Sequence, residues 1–150
     1  MAVLETLTPV AVDQLNSLLR SEIAASETYE KAIRKIERNQ DQDAIALRVI
    51  LNSHKSYSDR LKHEIRRLGG DPDESHGAWG VWANTVENVA SLFGDASAIK
   101  ALKEGERHSV NKATEALQEL DGSAAMLVKE TILPALSRHL DLLELLSKPL

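Results

Sequence analysis

The stretch Leu68-Gly69-Gly70-Asp71-Pro72 decides how this helical chain is connected. Glycine adopts the left-handed conformation that ends a helix, and proline prevents a helix from continuing. The stretch therefore closes a helix that begins at about residue 42, and it opens a connection of about 25 residues, 71–95, before the next helical segment. A connection of this length is long enough to cross a helical bundle from one end to the other.

Four segments of the chain have helical patterns. Apolar residues recur in them at spacings of three and four, and no segment alternates at period two. Thr8-Pro9 is typical of a helix start, because threonine caps the helix and proline is harmless at its first position. Pro134 lies inside the last segment, where the loss of one backbone donor predicts a kink. The predicted helices span about 9–38, 42–68, 96–120 and 123–146.

The connections between these helices predict the topology. Helices 1 and 2 are joined by a few residues, as are helices 3 and 4, so each pair should form an antiparallel hairpin. The crossover at 71–95 lets helices 2 and 3 run parallel. The sequence thus predicts an all-α fold, a single domain over residues 1–150, in an up-down-down-up four-helix bundle with one long crossover. We expect the crossover to be partly helical, with Trp79 and Trp82 either covering one flank of the bundle or contacting another subunit.

Composition and charge exclude several classes of function. The chain of 150 residues has a net charge of -5 and contains no cysteine. It therefore lacks the basic face that nucleic acids and anionic membranes require, and it has no thiolate ligands or disulfides. No stretch approaches the roughly 18 apolar residues of a membrane span, and the N-terminus has no basic signal-peptide region. We expect a cytoplasmic protein.

Four ionisable residues interrupt the apolar faces of the helices. Residues seven positions apart on a helix lie on nearly the same face. In helix 1 the series that includes Leu15 and Tyr29 on the apolar face contains one glutamate, and the matching series of each other helix also contains one polar residue. These residues are Glu22, His54, Glu106 and His139. Because an unpaired buried carboxylate is costly, the four side chains must meet one another, a metal ion or water. The remaining histidines, His63, His76 and His108, are predicted to be solvated.

Two interpretations of this polar layer remain open. Carboxylate oxygens and imidazole nitrogens suit Zn, Fe or Mn, and helix bundles bind such ions between facing helices. The four residues would then be metal ligands. Alternatively, they form two buried Glu–His pairs, each hydrogen-bonded and with its histidine protonated. Charge does not separate the two interpretations, because two carboxylates balance one divalent cation or two imidazoliums equally well.

The residues of the layer also resemble a known superfamily. Glu22 is followed seven residues later by Tyr29, His54 precedes the Gly69-Gly70 exit from helix 2, and Glu106 and His139 repeat this arrangement in the second half. In these features the chain resembles the ferritin-like superfamily, especially rubrerythrin and bacterioferritin, in which one long crossover joins two helical hairpins. It is most similar to an uncharacterised bacterial ferritin-like family, a domain of unknown function. The likeness to the superfamily spans the whole chain. The uncharacterised family is similar in length, in the glycine-rich exit from helix 2, in the Gly/Trp crossover and in Glu104-Gly105-Glu106 on helix 3.

The sequence departs from the di-iron pattern of that superfamily at three positions. The resemblance places bridging glutamates at 51 and 136 and a tyrosine at 113, where this chain has Leu51, Leu136 and Ala113. A di-iron site needs about four carboxylates to hold two cations. We therefore predict at most one ion, bound by two Glu and two His, and no ferroxidase or peroxidase chemistry at a bridged metal pair.

Two functions follow from these patterns. The first is a ferritin-like protein that binds one transition-metal ion, Fe, Mn or Zn, through the four residues of the layer. The second is a metal-free helical module that works through partners or self-association. The sequence contains neither a Gly-rich phosphate loop nor a nucleophile placed beside a base, so it does not indicate an enzyme. Because the resembling bundles commonly dimerise, we expect a homo-oligomer, most simply a dimer.

Overall fold

All regular structure in the described part of the chain is helical. The computed structural model describes residues 2–36, 41–75 and 95–147, with side chains for 9–36, 43–75 and 96–146. Three long helices come first: α1 (Ala2–Ile36), α2 (Asp41–Arg67) and α3 (Asp95–Leu117). The fourth helix comprises α4 (Gly122–Met126), a π-helical stretch (Leu127–Ile132) and α5 (Leu133–Ser147). The predicted all-α class is therefore confirmed. Trp79 and Trp82 of the crossover lie outside the described residues.

The start of α1 differs from the prediction. The helix begins at Ala2 and passes through Pro9, so Thr8-Pro9 is not its first turn. Leu4 and Glu5 have high helix propensity and favour extension of the helix towards the N-terminus. Pro9 removes only one backbone donor, and the hydrogen bonds of the neighbouring residues outweigh that loss.

The irregularity expected at Pro134 takes the form of the π-helical stretch that precedes it. The N–H of Leu133 donates to the carbonyl of Val128, five residues back instead of four. A proline ring collides with the carbonyl four residues earlier, and a wider π turn relieves that contact. Beyond the stretch the inward face of α5 carries four buried residues, Ala135, Leu136, His139 and Leu143.

The exit from α2 has the conformation that its glycines predict. Gly69 has a φ of 84°, the left-handed conformation that ends a helix. A Cβ on Gly70 would lie 2.6 Å from Cγ1 of Val12, so this glycine allows α1 and α2 to approach closely. Asn16 of α1 then holds the following residues, because its side chain bonds the carbonyl of Asp71 at 3.0 Å and the N–H of Asp73 at 2.7 Å.

The apolar core consists of two clusters separated by a polar layer. The first cluster includes Tyr29, Leu47, Leu102 and Leu143, and the second includes Leu15, Leu61, Ala113 and Ile132. Each cluster therefore contains residues of all four helices. In addition, α1 packs against α2, and α3 packs against α5. In every helix the polar residue of the predicted layer falls between the residues of the two clusters. The layer thus lies across the middle of the core.

None of the helices in residues 2–36, 41–75 and 95–147 is long and apolar enough to cross a membrane. The extent of the domain, residues 1–150, stays a prediction.

Replacement of Gly70 by alanine should destabilise the protein. The added Cβ must displace Val12, and overpacking of this kind costs about 1–3 kcal/mol, which lowers the melting temperature by about 2–4 °C for each kcal/mol in a domain of this size. Thermal unfolding followed by circular dichroism measures the change. The double variant Gly70→Ala/Val12→Ala should recover much of the loss. An unchanged melting temperature in the single variant would contradict the close approach of α1 and α2.

Candidate metal centre

Glu106 of α3 is the centre of the polar layer, and its side chain is completely buried. Its Oε1 lies 2.6 Å from Nε2 of His54 and accepts a 2.7 Å hydrogen bond from the hydroxyl of Tyr29. The other ring nitrogen of His54, Nδ1, is in direct contact with Oε2 of Glu22. The His54 ring therefore bridges the two carboxylates, one from α1 and one from α3.

His139 approaches the same carboxylate from the fourth helix. Its Nδ1 lies 3.3 Å from Oε1 and 3.4 Å from Oε2 of Glu106. Its Nε2 lies 2.8 Å from the hydroxyl of Ser53, which immediately precedes His54 on α2. The centroids of the two imidazole rings are 4.7 Å apart. The structure therefore brings all four predicted residues into one connected network, with Glu106 shared by both histidines.

Three of these residues form a group that could hold a metal ion. Donor atoms of His54, Glu106 and His139 all lie within 4.8 Å of one another, and all three residues are buried. Donors bound 2.0–2.1 Å from a four-coordinate ion lie about 3.3–3.4 Å from each other. The two distances from His139 to Glu106 have this length, whereas the 2.6 Å between His54 and Glu106 is a hydrogen-bond length that a bound ion would have to widen. Glu22 lies on the far side of the His54 ring from this point of convergence.

The charges of the layer stabilise one another. Burial by itself would lower the pKa of His54, but the carboxylates of Glu106 and Glu22 outweigh it and raise that pKa from 6.5 to about 10. Burial would raise the pKa of Glu106, but His54 and His139 lower it from 4.5 to about 2. Burial and the charge of Glu106 hold the pKa of Tyr29 well above its usual value of 10.0. Tyr29 therefore remains a hydrogen-bond donor to Glu106 at neutral pH.

The positions of the missing bridging glutamates lie inside the bundle but carry apolar side chains. Leu51 and Leu136 are both buried, one in each core cluster. Among the other acids, Glu64 is buried but accepts 2.6 Å hydrogen bonds from Arg67 and Ser123. Six other acids of the helices are half-buried or exposed, namely Glu27, Glu30, Asp59, Glu104, Glu130 and Glu144. This donor set favours one ion over two.

Sequence patterns did not identify Ser53 as part of the site. A serine within a helix is common, and only the packing of α5 against α2 brings its hydroxyl to His139. Tyr29 was part of the resemblance to the ferritin-like superfamily. Its hydrogen bond to Glu106 joins residues 77 positions apart, so only the tertiary structure could identify it. Of the other histidines, His63 is exposed and His108 is half-buried, while His76 lies outside the described residues.

The stability of the metal-free protein should depend on pH through His54. A histidine with a raised pKa contributes its full stability below its unfolded value of 6.5 and loses it as the pH rises through about 10. We therefore expect the unfolding free energy to fall above pH 6.5, by at most about 1.4 kcal/mol per pH unit. Glu106, whose pKa is lowered to about 2, loses its contribution only as the pH falls from 4.5 towards that value.

Urea denaturation in the presence of EDTA, at intervals from pH 5.5 to 9, measures this dependence. A His63→Gln variant is the matched control, because His63 is exposed and should not alter the slope. Equal unfolding free energies at pH 6 and pH 9 would contradict a protonated His54 between two carboxylates.

Comparison with known proteins places the chain in a family without a known function. No curated protein and no solved structure matches it. Residues 10–119 match the family described as a domain of unknown function, DUF2383. The matched region includes Glu22, His54 and Glu106 and ends before His139. Because it covers most of the chain, this protein belongs to the DUF2383 family.

Proposed function

We propose that this protein binds one transition-metal ion in the core of its helical bundle, between His54, Glu106 and His139. The observation that carries the proposal is the convergence of both histidines on the carboxylate of Glu106, at 2.6 Å from His54 and 3.3 Å from His139. Imidazole and carboxylate donors together suit Zn, Fe or Mn. A bound ion of this kind would supply a Lewis-acid centre among buried side chains.

The arrangement favours a metal site over two separate Glu–His pairs. Separate pairs would match one histidine to each glutamate. Instead, Glu106 has three polar neighbours, His54, His139 and Tyr29, whereas among the described residues only His54 contacts the Glu22 carboxylate. Two histidines gathered around one buried carboxylate give a cluster of three donors that could bind a cation.

We also propose that the four helices have the ferritin-like, up-down-down-up arrangement. The order of the two core clusters along each helix supports it. In α1 and in the fourth helix the residues of the second cluster precede those of the first, whereas α2 and α3 have the reverse order. Helices that share an order point the same way, so α2 and α3 would run parallel and require a crossover of the full bundle length.

The alternative function is a metal-free module that acts through partners or self-association. Two features favour it. His54 already has a carboxylate at each ring nitrogen, so the layer is satisfied by protons alone. In addition, Ile45 and Val49 lie one turn apart on α2 and are 61% and 60% exposed. Under this alternative the four polar residues would only maintain the packing of the core.

Elemental analysis separates the two functions. Untagged protein, purified directly and also after loading with Fe(II), Mn(II) or Zn(II), should contain about one ion per chain, as a site with three protein donors requires. The variant His54→Ala/His139→Ala should lose the ion, while His63→Ala, which removes an exposed histidine, should retain it. No bound metal in the wild type under any loading condition would overturn the metal-binding proposal.

A further inference from the structure

We propose that Glu22 and Ser53 are positioning residues that orient the two histidines, and that the ion has only His54, Glu106 and His139 as protein ligands. The inference rests on the proposed metal-binding function, and it revises the expectation that Glu22 is a fourth ligand. It is supported by the hydrogen bonds at the outer nitrogens of the two imidazole rings, which are the nitrogens that face away from Glu106: Nδ1 of His54 and Nε2 of His139.

The role of Glu22 follows from the geometry of an imidazole ring. The two ring nitrogens point in different directions, so one ion cannot bind both of them. Nε2 of His54 faces Glu106 at 2.6 Å, while Nδ1 contacts Oε2 of Glu22. In the proposed arrangement the Glu22 carboxylate accepts a hydrogen bond from Nδ1–H, and the ion takes the place of the proton on Nε2. A carboxylate in this position fixes the tautomer and the ring orientation of a metal-binding histidine and increases its basicity.

Ser53 has the corresponding role for His139. Its hydroxyl lies 2.8 Å from Nε2 of His139, while Nδ1 of the same ring faces Glu106. In the proposed arrangement the hydroxyl accepts a hydrogen bond from Nε2–H, so that Nδ1 is the nitrogen that binds the ion. In both histidines the outer nitrogen is thus held by a neighbouring helix and the inner nitrogen faces Glu106, where an ion would take the place of the proton between them. Because Ser53 and His54 are adjacent on α2, the same helical turn supplies one ligand, His54, and orients another, His139.

This assignment leaves the ion an exchangeable position. Three protein donors leave at least one coordination position for a small non-protein ligand, whereas four would saturate a tetrahedral ion. Leu51 and Leu136 carry no donor atoms that could fill it. The side chain of His139 is 7% exposed and that of His54 is fully buried, so the site approaches solvent most closely on the side of His139 and Ser53.

Titration with Co(II) tests the assignment, because its visible absorption bands report the ligands. Glu22→Gln keeps a hydrogen-bond acceptor of the same shape. We expect it to bind about one Co(II) per chain with unchanged band positions and an affinity about 10–100-fold weaker than the wild type, the usual cost of losing such a partner. Glu106→Gln, which changes a ligand, should shift the bands or abolish binding. Circular dichroism verifies that each variant is folded.

A matched pair of substitutions tests Ser53. Threonine and valine have nearly the same shape, but only threonine has a hydroxyl. Ser53→Thr should bind Co(II) about as tightly as the wild type, and Ser53→Val should bind it about 10–100-fold more weakly. Equal affinities in the two variants would show that the hydroxyl does not position His139.

Addition of azide to the Co(II)-loaded wild type tests the open position without any variant. The bands should shift on titration, since a small anion can occupy a position that no protein group fills. Unchanged bands with azide would show that the ion has no open position, and a Glu22→Gln spectrum altered as in Glu106→Gln would establish Glu22 as a ligand. Either result would overturn the inference. Failure of the wild type to bind Co(II) would instead overturn the proposed function itself, and this inference with it.

Discussion

A carboxylate that is completely removed from solvent sets the main constraint on this protein. Glu106 has no exposed surface, and a buried charge without compensation is costly. Its neighbours supply the compensation from three other helices: His54 of α2, the hydroxyl of Tyr29 of α1, and His139 of α5. The two histidines outweigh burial and keep the pKa of Glu106 low, at about 2. The charge can therefore persist inside the bundle only when all four helices are in place.

This constraint accounts for the division of the core into two apolar clusters. Each helix contributes leucine, isoleucine, valine or alanine on both sides of the layer and one polar residue within it. Hydrophobic burial supplies most of the driving force for folding but is not directional. The hydrogen-bonded layer is directional, because only one register of the helices joins Glu22, His54, Glu106 and His139. The π-helical stretch before Pro134 contributes to that register, since a wider turn rotates the residues that follow it.

The chemistry open to the site is narrower than that of a bridged metal pair. Leucines at 51 and 136 lie in the core at the positions where two further carboxylates would be needed. They leave one cluster of donors, with one carboxylate shared between two histidines. Membership of the DUF2383 family adds no activity to this description. Under the proposed function, the chemistry of the site is therefore that of this one cluster and of the groups that orient it.

The sequence by itself determined the helical class and the four residues of the layer, because helical periodicity fixes which side chains share a face. It also located the exit from α2, because Gly69 readily adopts the left-handed conformation that ends a helix. Only the tertiary structure decided which atoms meet. The convergence of both histidines on Glu106, the contact of Glu22 with the opposite nitrogen of His54 and the bond from Ser53 to His139 depend on the separation and rotation of packed helices. The passage of α1 through Pro9 likewise depended on neighbouring hydrogen bonds that a local capping pattern does not include.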